Sequence, residues 1–300
     1  MIVFSHEQVV ELLSLDECID AVERAFALHA RGEAHGPASA SLHVDGGAFH
    51  VKAAAIGSYC AVKMNGNFFT NPARGLPRIR GTIVLADATH GEPLAVMDSA
   101  WITIARTGAA TAVAVRHLAR RDAKTLLVCG CGNQGRISVE AIRRVRDVER
   151  VLLFDADRAA AERLASDVGG EVVDAITGAD IVVTCTPSRS YFFEERHARP
   201  GTLVCAVGAD SSEKQEIDPM LLAKSAVVVD DLVQCAAFGD LRYALDGQLM
   251  SHDDVRATLG EVINGQRVEG DVIVFDSTGT ALQDVACAAL VYEKAQHSRR

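Results

Sequence analysis

The sequence predicts an α/β protein whose second part is a doubly wound parallel sheet. After about residue 120, short apolar runs alternate with helical segments, an order typical of βαβ units. The runs are apolar throughout rather than at every second residue, which indicates strands covered on both faces. The first of these runs leads into a glycine-rich turn, Gly130–Gly135, that opens a helix.

The part before residue 120 has a different character. Apolar residues at helical spacing predict an amphipathic helix over Leu15–Arg31, ended by Gly36-Pro37. Short runs bounded by Gly, Asn and Pro then predict strands, and small residues predict a helix from about Thr103 to Leu118. The predicted strands are Ala48–Val51, Tyr59–Lys63, Gly81–Asp87 and Pro93–Asp98.

The alternating part contains six predicted strands and two helices before a last helix. The strands are Thr125–Cys129, Val151–Phe154, Ile181–Cys185, Leu203–Val207, Ala226–Val229 and Val272–Phe275. The helices are Gln134–Arg146 and Arg158–Val168. The last helix, Ala281–Gln296, is too apolar on one face to stand free, so we expect it to pack back near the first domain.

Composition excludes several classes of protein. The 300 residues are 49% hydrophobic and 23% charged, which is ample for a sizeable core and argues against disorder. Forty acids against 30 bases give a net charge of −10, so a nucleic-acid partner is not expected. The sequence shows no signal peptide and no apolar run long enough to cross a bilayer.

Cysteine usage indicates a reducing compartment. The eight cysteines are scattered, with no CxxC pair and no Cys/His ligand spacing. Several lie in apolar strand-like runs, where a buried thiol is the ordinary expectation. We therefore expect a cytoplasmic protein without disulfides.

The glycine-rich turn predicts a dinucleotide site. Gly130, Gly132 and Gly135 form GxGxxG between a strand and a helix, and Asp155 ends the next strand 25 residues after Gly130. The glycines allow a tight turn, close approach to a pyrophosphate and close helix–strand packing, and the helix N-terminus, with Asn133 and Gln134, attracts the phosphates. The alternative is a tight βα turn without a ligand. Asp155 favours NAD by bonding the adenosine ribose, whereas nearby Arg158 weakens that preference and keeps NADP open.

Other cofactor candidates lie where predicted strands end. Open α/β sheets bind ligands at the carboxyl ends of their strands. Thr184, Thr186 and Pro187 end one strand, and Val207-Gly208-Ala209 ends another. The alternative for Thr184–Ser188 is an ordinary turn.

Three charged residues are candidates for chemistry. Arg106 is the only charge in the apolar stretch Ile102–Val115, and a buried guanidinium needs a partner. That partner is either a structural carboxylate or a ligand carboxylate. Lys63 is a lone charge among apolar and amide residues, with a snorkelling strand lysine as the alternative. Asp210 follows an apolar strand at the ligand-binding edge, which favours catalysis over a capping role.

Metal and triad mechanisms find no support in the sequence. The histidines are dispersed without ligand spacing; His43 and His50 lie in one short segment, but nothing else joins them as metal ligands. No GxSxG motif is present.

With these residues in view, the chain resembles the ornithine cyclodeaminase/mu-crystallin family over nearly its full length. The resemblance rests on ordered motifs: Lys63-Met-Asn-Gly-Asn with Asn71-Pro, Gly75-Leu-Pro, Ala105-Arg-Thr-Gly-Ala-Ala, Gly130-Cys-Gly-Asn-Gln-Gly, Ala206-Val-Gly-Ala-Asp210 with Lys214-Gln-Glu, and Phe275-Asp-Ser-Thr-Gly-Thr-Ala-Leu-Gln-Asp284.

The resemblance implies an architecture and a chemistry. It implies a homodimer in which a Rossmann domain, residues 119–279, is inserted into a discontinuous α+β substrate and dimerisation domain, residues 1–118 plus 280–300. It implies reactions of α-amino or α-imino acids with a nicotinamide cofactor. By motif, Lys63 and Arg106 would hold the substrate carboxylate and Asp210 would be the acid/base at the substrate nitrogen. Thr107 and the Ser277–Ala281 loop, including Gly279, would lie near the cofactor.

Three positions depart from the ornithine cyclodeaminases. Ungapped alignment from Lys63 places Ser39 where those enzymes carry a further carboxylate-binding arginine. It places His50 where they carry the glutamate that meets the distal amine, and Lys52 at a nearby methionine. These departures put ornithine in doubt. Lys52 either replaces the missing arginine as a carboxylate partner or is an exposed strand lysine.

The sequence therefore supports one leading hypothesis and two alternatives. The leading one is an NAD(P)-dependent oxidoreductase of small α-imino/α-amino acids, with a cyclic imine such as pyrroline-2-carboxylate as the leading substrate. The first alternative is an ornithine cyclodeaminase, which converts ornithine to proline and ammonia with catalytic NAD. The second is a non-enzymatic mu-crystallin-like protein that binds the cofactor or another small ligand. No membrane partner is expected.

Overall fold

A computed structural model describes residues 1–297, which form two compact units. The first unit comprises residues 1–106 and 280–297, and the second comprises residues 107–279. The strands are β1 (Ile2–Phe4), β2 (Ala34–Val44), β3 (Gly47–Ile56), β4 (Tyr59–Phe68), β5 (Ile79–Asp87), β6 (Pro93–Asp98), β7 (Thr125–Cys129), β8 (Arg150–Phe154), β9 (Glu171–Val172), β10 (Ile181–Thr184), β11 (Arg189–Phe193), β12 (Thr202–Ala206), β13 (Gln215–Ile217), β14 (Ala226–Val229), β15 (Ala257–Thr258) and β16 (Val272–Asp276).

The helices complete the element list. They are α1 (His6–Leu12), α2 (Leu15–Ala30), α3 (Ala100–Leu118), α4 (Asn133–Val145), α5 (Arg158–Val168), α6 (Pro219–Lys224), α7 (Leu232–Phe238), α8 (Leu241–Asp246), α9 (Leu259–Ile263) and α10 (Ala281–His297). Within residues 1–297, no helix combines the length and apolarity needed to cross a membrane.

The first unit is built on a six-stranded sheet in the order β1-β6-β5-β4-β3-β2. All neighbouring pairs are antiparallel except β1 with β6. Side chains along β4 alternate: Ala61, Lys63 and Asn65 are buried, whereas Val62 and Met64 are exposed. This period of two gives the sheet one buried and one exposed face.

Helix α10 packs against α2, β3 and β4 of the first unit. Buried residues such as Leu282, Val285 and Val291 form the apolar side of α10. The structure therefore confirms that the last helix returns to the N-terminal part of the chain.

One predicted helix end is wrong. Helix α2 ends at Ala30, before Gly36-Pro37, which lies inside β2. Gly32, at φ +73°, supplies the left-handed residue just beyond the helix, and glycine takes that conformation without steric cost.

The second unit is an eight-stranded, all-parallel sheet in the order β15-β14-β16-β12-β10-β7-β8-β9. Strand β7 has its successor β8 on one side and β10 on the other. The chain therefore reverses its direction of winding at β7, and ligands bind doubly wound sheets at the carboxyl ends of the strands there. The predicted doubly wound parallel sheet is confirmed.

Candidate functional site

The glycine-rich loop after β7 has the geometry of a phosphate cradle. Gly130 is left-handed at φ +107°, and a Cβ there would lie 2.9 Å from the Cys185 carbonyl oxygen. A Cβ on Gly135 would lie 2.1 Å from the Gly130 carbonyl oxygen. A Cβ on Gly132 would meet nothing within 4 Å. Close packing thus requires two of the glycines, and the third borders open space.

Helix α4 begins at this open space. Its first residue is Asn133, and its N-cap is Gly132, which has no side chain to cap the helix amides. The amides of the first turn are therefore available to an anion, which the helix dipole also favours. The open space beside Gly132 and the first-turn amides fit a dinucleotide pyrophosphate. Next along the helix, the Gln134 Oε1 atom is buried without a hydrogen-bond partner within the described residues, and as an acceptor it would need a donor group of a ligand.

Asp155 braces the same loop. It follows β8, and its carboxylate accepts hydrogen bonds from the backbone N–H of Cys131 at 2.7 Å and of Asp157 at 2.9 Å. Arg158 ion-pairs with Glu162 at 2.9 Å and with Asp174. The guanidinium thus already has two acidic partners, which lessens its pull on a ribose phosphate.

Glu216, which the sequence interpretation did not single out, joins two of the predicted cofactor segments. Its Oε1 atom accepts from the Thr186 N–H at 2.6 Å and the Thr186 hydroxyl at 2.7 Å. Its Oε2 atom accepts from the Thr184 hydroxyl at 2.8 Å and the Gly208 N–H at 2.9 Å. The Val207 N–H adds a backbone bond to the Thr184 carbonyl at 2.9 Å. The ends of β10 and β12 are therefore fastened to one buried carboxyl group.

A second buried acid organises the loop after β16. The Asp230 Oδ2 atom accepts from the Ser277 hydroxyl and from the Gly279 N–H, both at 2.7 Å. Gly279 is left-handed at φ +72°. Asp230 therefore fixes the shape of the predicted cofactor loop.

Asp210 lies in the loop after β12, and its side chain is about half exposed. Lys214 donates to its carboxylate at 2.6 Å and to the Gly208 carbonyl at 3.0 Å. The exposed half of this carboxylate is accessible for proton exchange with a ligand.

The first unit contains a buried cluster of opposite charges. Lys63, on β4, is 4% exposed, Arg106, on α3, is 7% exposed, and Asp284, on α10, is 1% exposed. The Lys63 ammonium lies 2.8 Å from Oδ1 and 2.7 Å from Oδ2 of Asp284. The Arg106 Nε atom lies 3.3 Å from Asp284 Oδ1, and Arg106 Nη1 donates to Gln283 Oε1 at 2.7 Å. Arg106 therefore does have the structural carboxylate partner that its burial requires.

Lys52 and His50 lie on neighbouring positions of the same sheet. Lys52 is directly opposite Lys63, and His50 is opposite Asn65, so each pair shares one face of the sheet. Ser39 is opposite Lys52 on the other side. The His50 Nδ1 atom is 2.9 Å from the Ser41 hydroxyl. Lys52 therefore adds positive charge beside Lys63, where the alignment with cyclodeaminases predicts none.

The environment of Lys63 affects its charge. Burial lowers the pKa of the Lys63 ammonium to about 7, and Arg106 and Lys52 lower it as well, whereas Asp284 opposes the decrease. The Lys63 ammonium therefore titrates near neutral pH.

The structure brings the predicted site residues together in two sets. The first unit assembles Lys63 and Arg106, with Lys52 opposite Lys63, and the second assembles the glycine loop, the strand ends and Asp210. Thr107 follows Arg106 on α3, and its carbonyl accepts from the Thr111 hydroxyl at 3.0 Å. Within residues 1–297, no group of three or more His, Cys, Asp or Glu side chains could hold a metal ion.

Sequence reasoning gave no site role to Gln283, Asp284, Glu216 or Asp230, although the first three stand in motifs that carry the family resemblance. A signal for Asp284 was present, because it is a lone acid in an otherwise apolar helix, Ala281–Val291. That is the same pattern that singled out Arg106. Glu216 lies within β13 and Asp230 follows β14 directly. Neither is a lone charge in an apolar helix, so that pattern does not single them out.

The fold and the glycine-loop geometry define a dinucleotide-binding α/β protein with a second, cation-bearing unit. The chain belongs to the ornithine cyclodeaminase/mu-crystallin family, whose model matches residues 1–299.

Relatives and solved structures agree with this assignment. An alanine dehydrogenase of Archaeoglobus fulgidus is 36% identical over 98% of this chain and 95% of its own. A solved archaeal alanine dehydrogenase dimer with bound NAD superposes with a TM-score of 0.96 at 36% identity, covering 100% of this chain and 97% of the other. The Thermococcus litoralis Δ1-pyrroline-2-carboxylate reductase, in complex with NADH and L-proline, gives a TM-score of 0.93 at 29% identity, covering 100% and 98%.

Proposed function

We propose that the protein is an NAD-dependent oxidoreductase of small α-imino or α-amino acids. The observation that carries the proposal is the buried cluster in which, within residues 1–297, Lys63 and Arg106 share the acid Asp284. Two cations against one anion leave a net positive charge, and burying it is costly unless an anion joins it. A substrate carboxylate supplies that anion. Alanine and pyrroline-2-carboxylate, the compounds in the names of two similar proteins, both contain a carboxylate.

The cofactor proposed is NAD, with NADP as the alternative. Gly132 borders open space at the uncapped start of α4, and two of the similar solved structures contain NAD or NADH. Gly130, Asn133, Gln134 and Gly135 would hold the pyrophosphate, and Asp155 would face the ribose. A further group would form the rest of the site: Thr107, Thr184, Thr186, Val207, Gly208, Ser277 and Gly279. When bound, the nicotinamide accepts or donates a hydride.

The side chains of this chain do the remaining work. Lys63 and Arg106 bind and orient the substrate carboxylate, and such positioning can supply several kcal/mol of the barrier reduction. Asp210 exchanges a proton with the substrate nitrogen, and Lys214 holds its carboxylate in place. Glu216 and Asp230 keep the surrounding loops in shape.

A cyclic imine such as pyrroline-2-carboxylate is the leading substrate. The cationic Lys52 beside Lys63, with His50 two residues before it on the same face, disfavours the distal ammonium group of ornithine, since like charges repel. Lys52 would then be a further carboxylate partner. Ornithine cyclodeamination and ligand binding without turnover remain the alternatives that an assay must separate.

Following NADH and NADPH absorbance with a panel of imines tests the proposal. The panel contains pyrroline-2-carboxylate, piperideine-2-carboxylate, and pyruvate with ammonia, and ornithine is scored in parallel for ammonia release. Oxidation of NADH by one imine is the expected result. Ammonia from ornithine without net cofactor change identifies a cyclodeaminase, and cofactor binding with neither activity identifies a binding protein.

Two variants test the assigned roles. Asp210→Asn should abolish most turnover while leaving NADH binding intact, and full turnover would refute the proton role. Arg106→Ala should raise KM and lower kcat. A loss of stability alone would leave Arg106 with only its structural pairing to Gln283 and Asp284.

We also propose that the protein is a homodimer. Val62, Met64 and Val84 form an apolar stripe on the exposed face of β4 and β5, with Met64 47% exposed. Contiguous apolar surface of this kind marks interaction sites, and a similar solved structure is described as a dimer. Light scattering should give the dimer mass, and Met64→Lys should shift the mass toward that of a monomer. A wild-type monomer would refute the proposal.

A further inference from the structure

Asp284 is an acid in contact with both proposed carboxylate-binding cations. It lies in the first turn of α10, whereas Lys63 lies on β4 and Arg106 on α3. We propose that Asp284 is a positioning residue, which aims Lys63 and Arg106 at the substrate carboxylate. This inference rests on the proposed function, and it extends that function to a residue that would not itself touch the substrate.

The contacts of Lys63 and Arg106 leave donors for a ligand. The Lys63 ammonium has three hydrogens and lies between the two oxygens of one carboxylate, at 2.8 and 2.7 Å. Arg106 is held at Nη1 by Gln283 and approached at Nε by Asp284. The Arg106 Nε atom is buried and has no hydrogen-bond partner among residues 1–297. Asp284 and Gln283 thus fix the two cations and leave donor capacity on each of them.

The identity of the Gln283 contact is fixed by chemistry. A guanidinium only donates, so the Gln283 atom facing it must be the amide oxygen. The two neighbouring side chains of α10 therefore both present oxygen to the cations. One turn of helix supplies the acceptors for the whole cluster.

Charge balance explains why an acid is needed here. The groups that face Lys63 are Lys52 from β3, Arg106 from α3 and Asp284 from α10, while the neutral thiol of Cys287 lies near Asp284 and Arg106. Asp284 is the only one of them that favours a charged Lys63. Without it, burial and two cations would drive the Lys63 ammonium to release its proton at lower pH, and a neutral amine holds a carboxylate poorly.

A purely structural ion pair is the competing explanation. It predicts that loss of Asp284 lowers stability but leaves KM for the imine and the pH dependence of KM unchanged. A positioning role predicts that KM rises and that its pH dependence moves. The two readings therefore separate in a pH profile.

The experiment compares Asp284→Asn and Asp284→Glu with wild type from pH 6 to 9. Glu293→Gln is the matched control, because it removes one acid from the exposed far end of the same helix. With saturating NADH, KM for the imine substrate should rise about tenfold or more in Asp284→Asn, because a charged hydrogen bond in the cluster is lost. The pH at which KM begins to rise should fall by about one unit or more. Asp284→Glu should recover part of both effects, and the control should show neither. An unchanged pH profile of KM would overturn the inference.

A second readout does not depend on turnover. The pKa of Lys63 is lower in the folded than in the unfolded chain, so stability rises with pH between about 7 and the usual lysine range of ~10.4. In Asp284→Asn this rise should begin at a lower pH, and in Lys63→Arg it should disappear, because arginine keeps its proton. Parallel curves of Tm against pH for wild type and Asp284→Asn would overturn the inference even if no imine were reduced. Failure of the imine assay alone would refute only the proposed function.

Discussion

Replacing Glu216 by glutamine tests how the strand ends of the nucleotide unit are held together. Each carboxyl oxygen of Glu216 accepts one backbone N–H, from Thr186 at 2.6 Å and from Gly208 at 2.9 Å. A glutamine has one oxygen and one NH₂ group in the same places. In either orientation, the NH₂ group faces a backbone N–H, so one buried donor loses its acceptor.

The cost follows from that lost hydrogen bond. A buried N–H without an acceptor costs about 1–3 kcal/mol, and in a unit of this size each kcal/mol lowers Tm by about 2–4 °C. We therefore expect Tm to fall by about 2–12 °C. Burial raises the pKa of Glu216, so the wild type itself loses stability as pH rises through that folded-state pKa, whereas glutamine does not titrate. The deficit should be largest on the acid side and shrink as pH rises.

Thermal unfolding from pH 5 to 9, with and without NADH, measures this deficit. Glu213→Gln is the matched control: it makes the same chemical change at an exposed residue that pairs with Arg189 at 2.9 Å, where an ion pair contributes little. A Glu216→Gln protein as stable as wild type at pH 5, or a deficit that grows with pH, would refute the assignment of Glu216 as the fastening group.

Three further predictions concern other parts of the chain. Gly135→Ala should lower both Tm and NADH affinity, because the new Cβ would lie 2.1 Å from the Gly130 carbonyl oxygen. Gly132→Ala should leave Tm unchanged, because its Cβ would meet no protein atom within 4 Å. It should weaken only NADH binding, measured in a fluorescence titration. Burial raises the pKa of Asp240 to about 7, so wild-type stability should decline as pH rises from about 4 toward 7. Asp240→Asn should flatten that decline in a series of Tm measurements, and an unchanged slope would contradict the prediction. A thiol-specific disulfide reagent should modify Cys60 fastest in the native protein, because it is one of two cysteines that are not fully buried and burial raises the pKa of the other; Cys60→Ser should remove the fast phase.

The nucleotide unit was predictable because its signals are local. Continuous apolar runs predicted β7 and β14 with the bounds that the structure has. The predicted bounds of helix α5 also match the structure. Each of these elements is defined by its own residues and by the turns beside it. The glycine loop is recognisable from its own six residues, although only Gly135 is required by a contact within the loop; Gly130 is required by the Cys185 carbonyl.

Strand β2 shows where local signals fail. It contains Gly36-Pro37 and several small polar residues, which predict a turn. It forms because its backbone pairs with β3 along the edge of the sheet, and a largely exposed edge strand needs little apolar content. Backbone pairing of this kind leaves no mark on the residue pattern.

The cation cluster was half predictable for a related reason. Burial of a lone Arg106 in an apolar helix requires a partner, but that requirement does not say which of forty acids supplies it. The partner, Asp284, comes from the far end of the chain and reaches Arg106 only because α10 packs on β3 and β4. Long-range packing decides that pairing, and periodicity alone cannot encode it.

The segment from Phe275 to Asp284 contributes residues to both sets of site contacts. Near its start, Asp276 accepts from the Leu241 N–H at 2.9 Å, and Ser277 bonds to Asp230, all inside the second unit. At its end, Asp284 joins the cations of the first unit. Each end therefore satisfies buried polar groups that would otherwise be costly. Changes within this segment should consequently affect the nucleotide loop or the cation cluster separately, according to which end they disturb, even though the two ends are only a few residues apart.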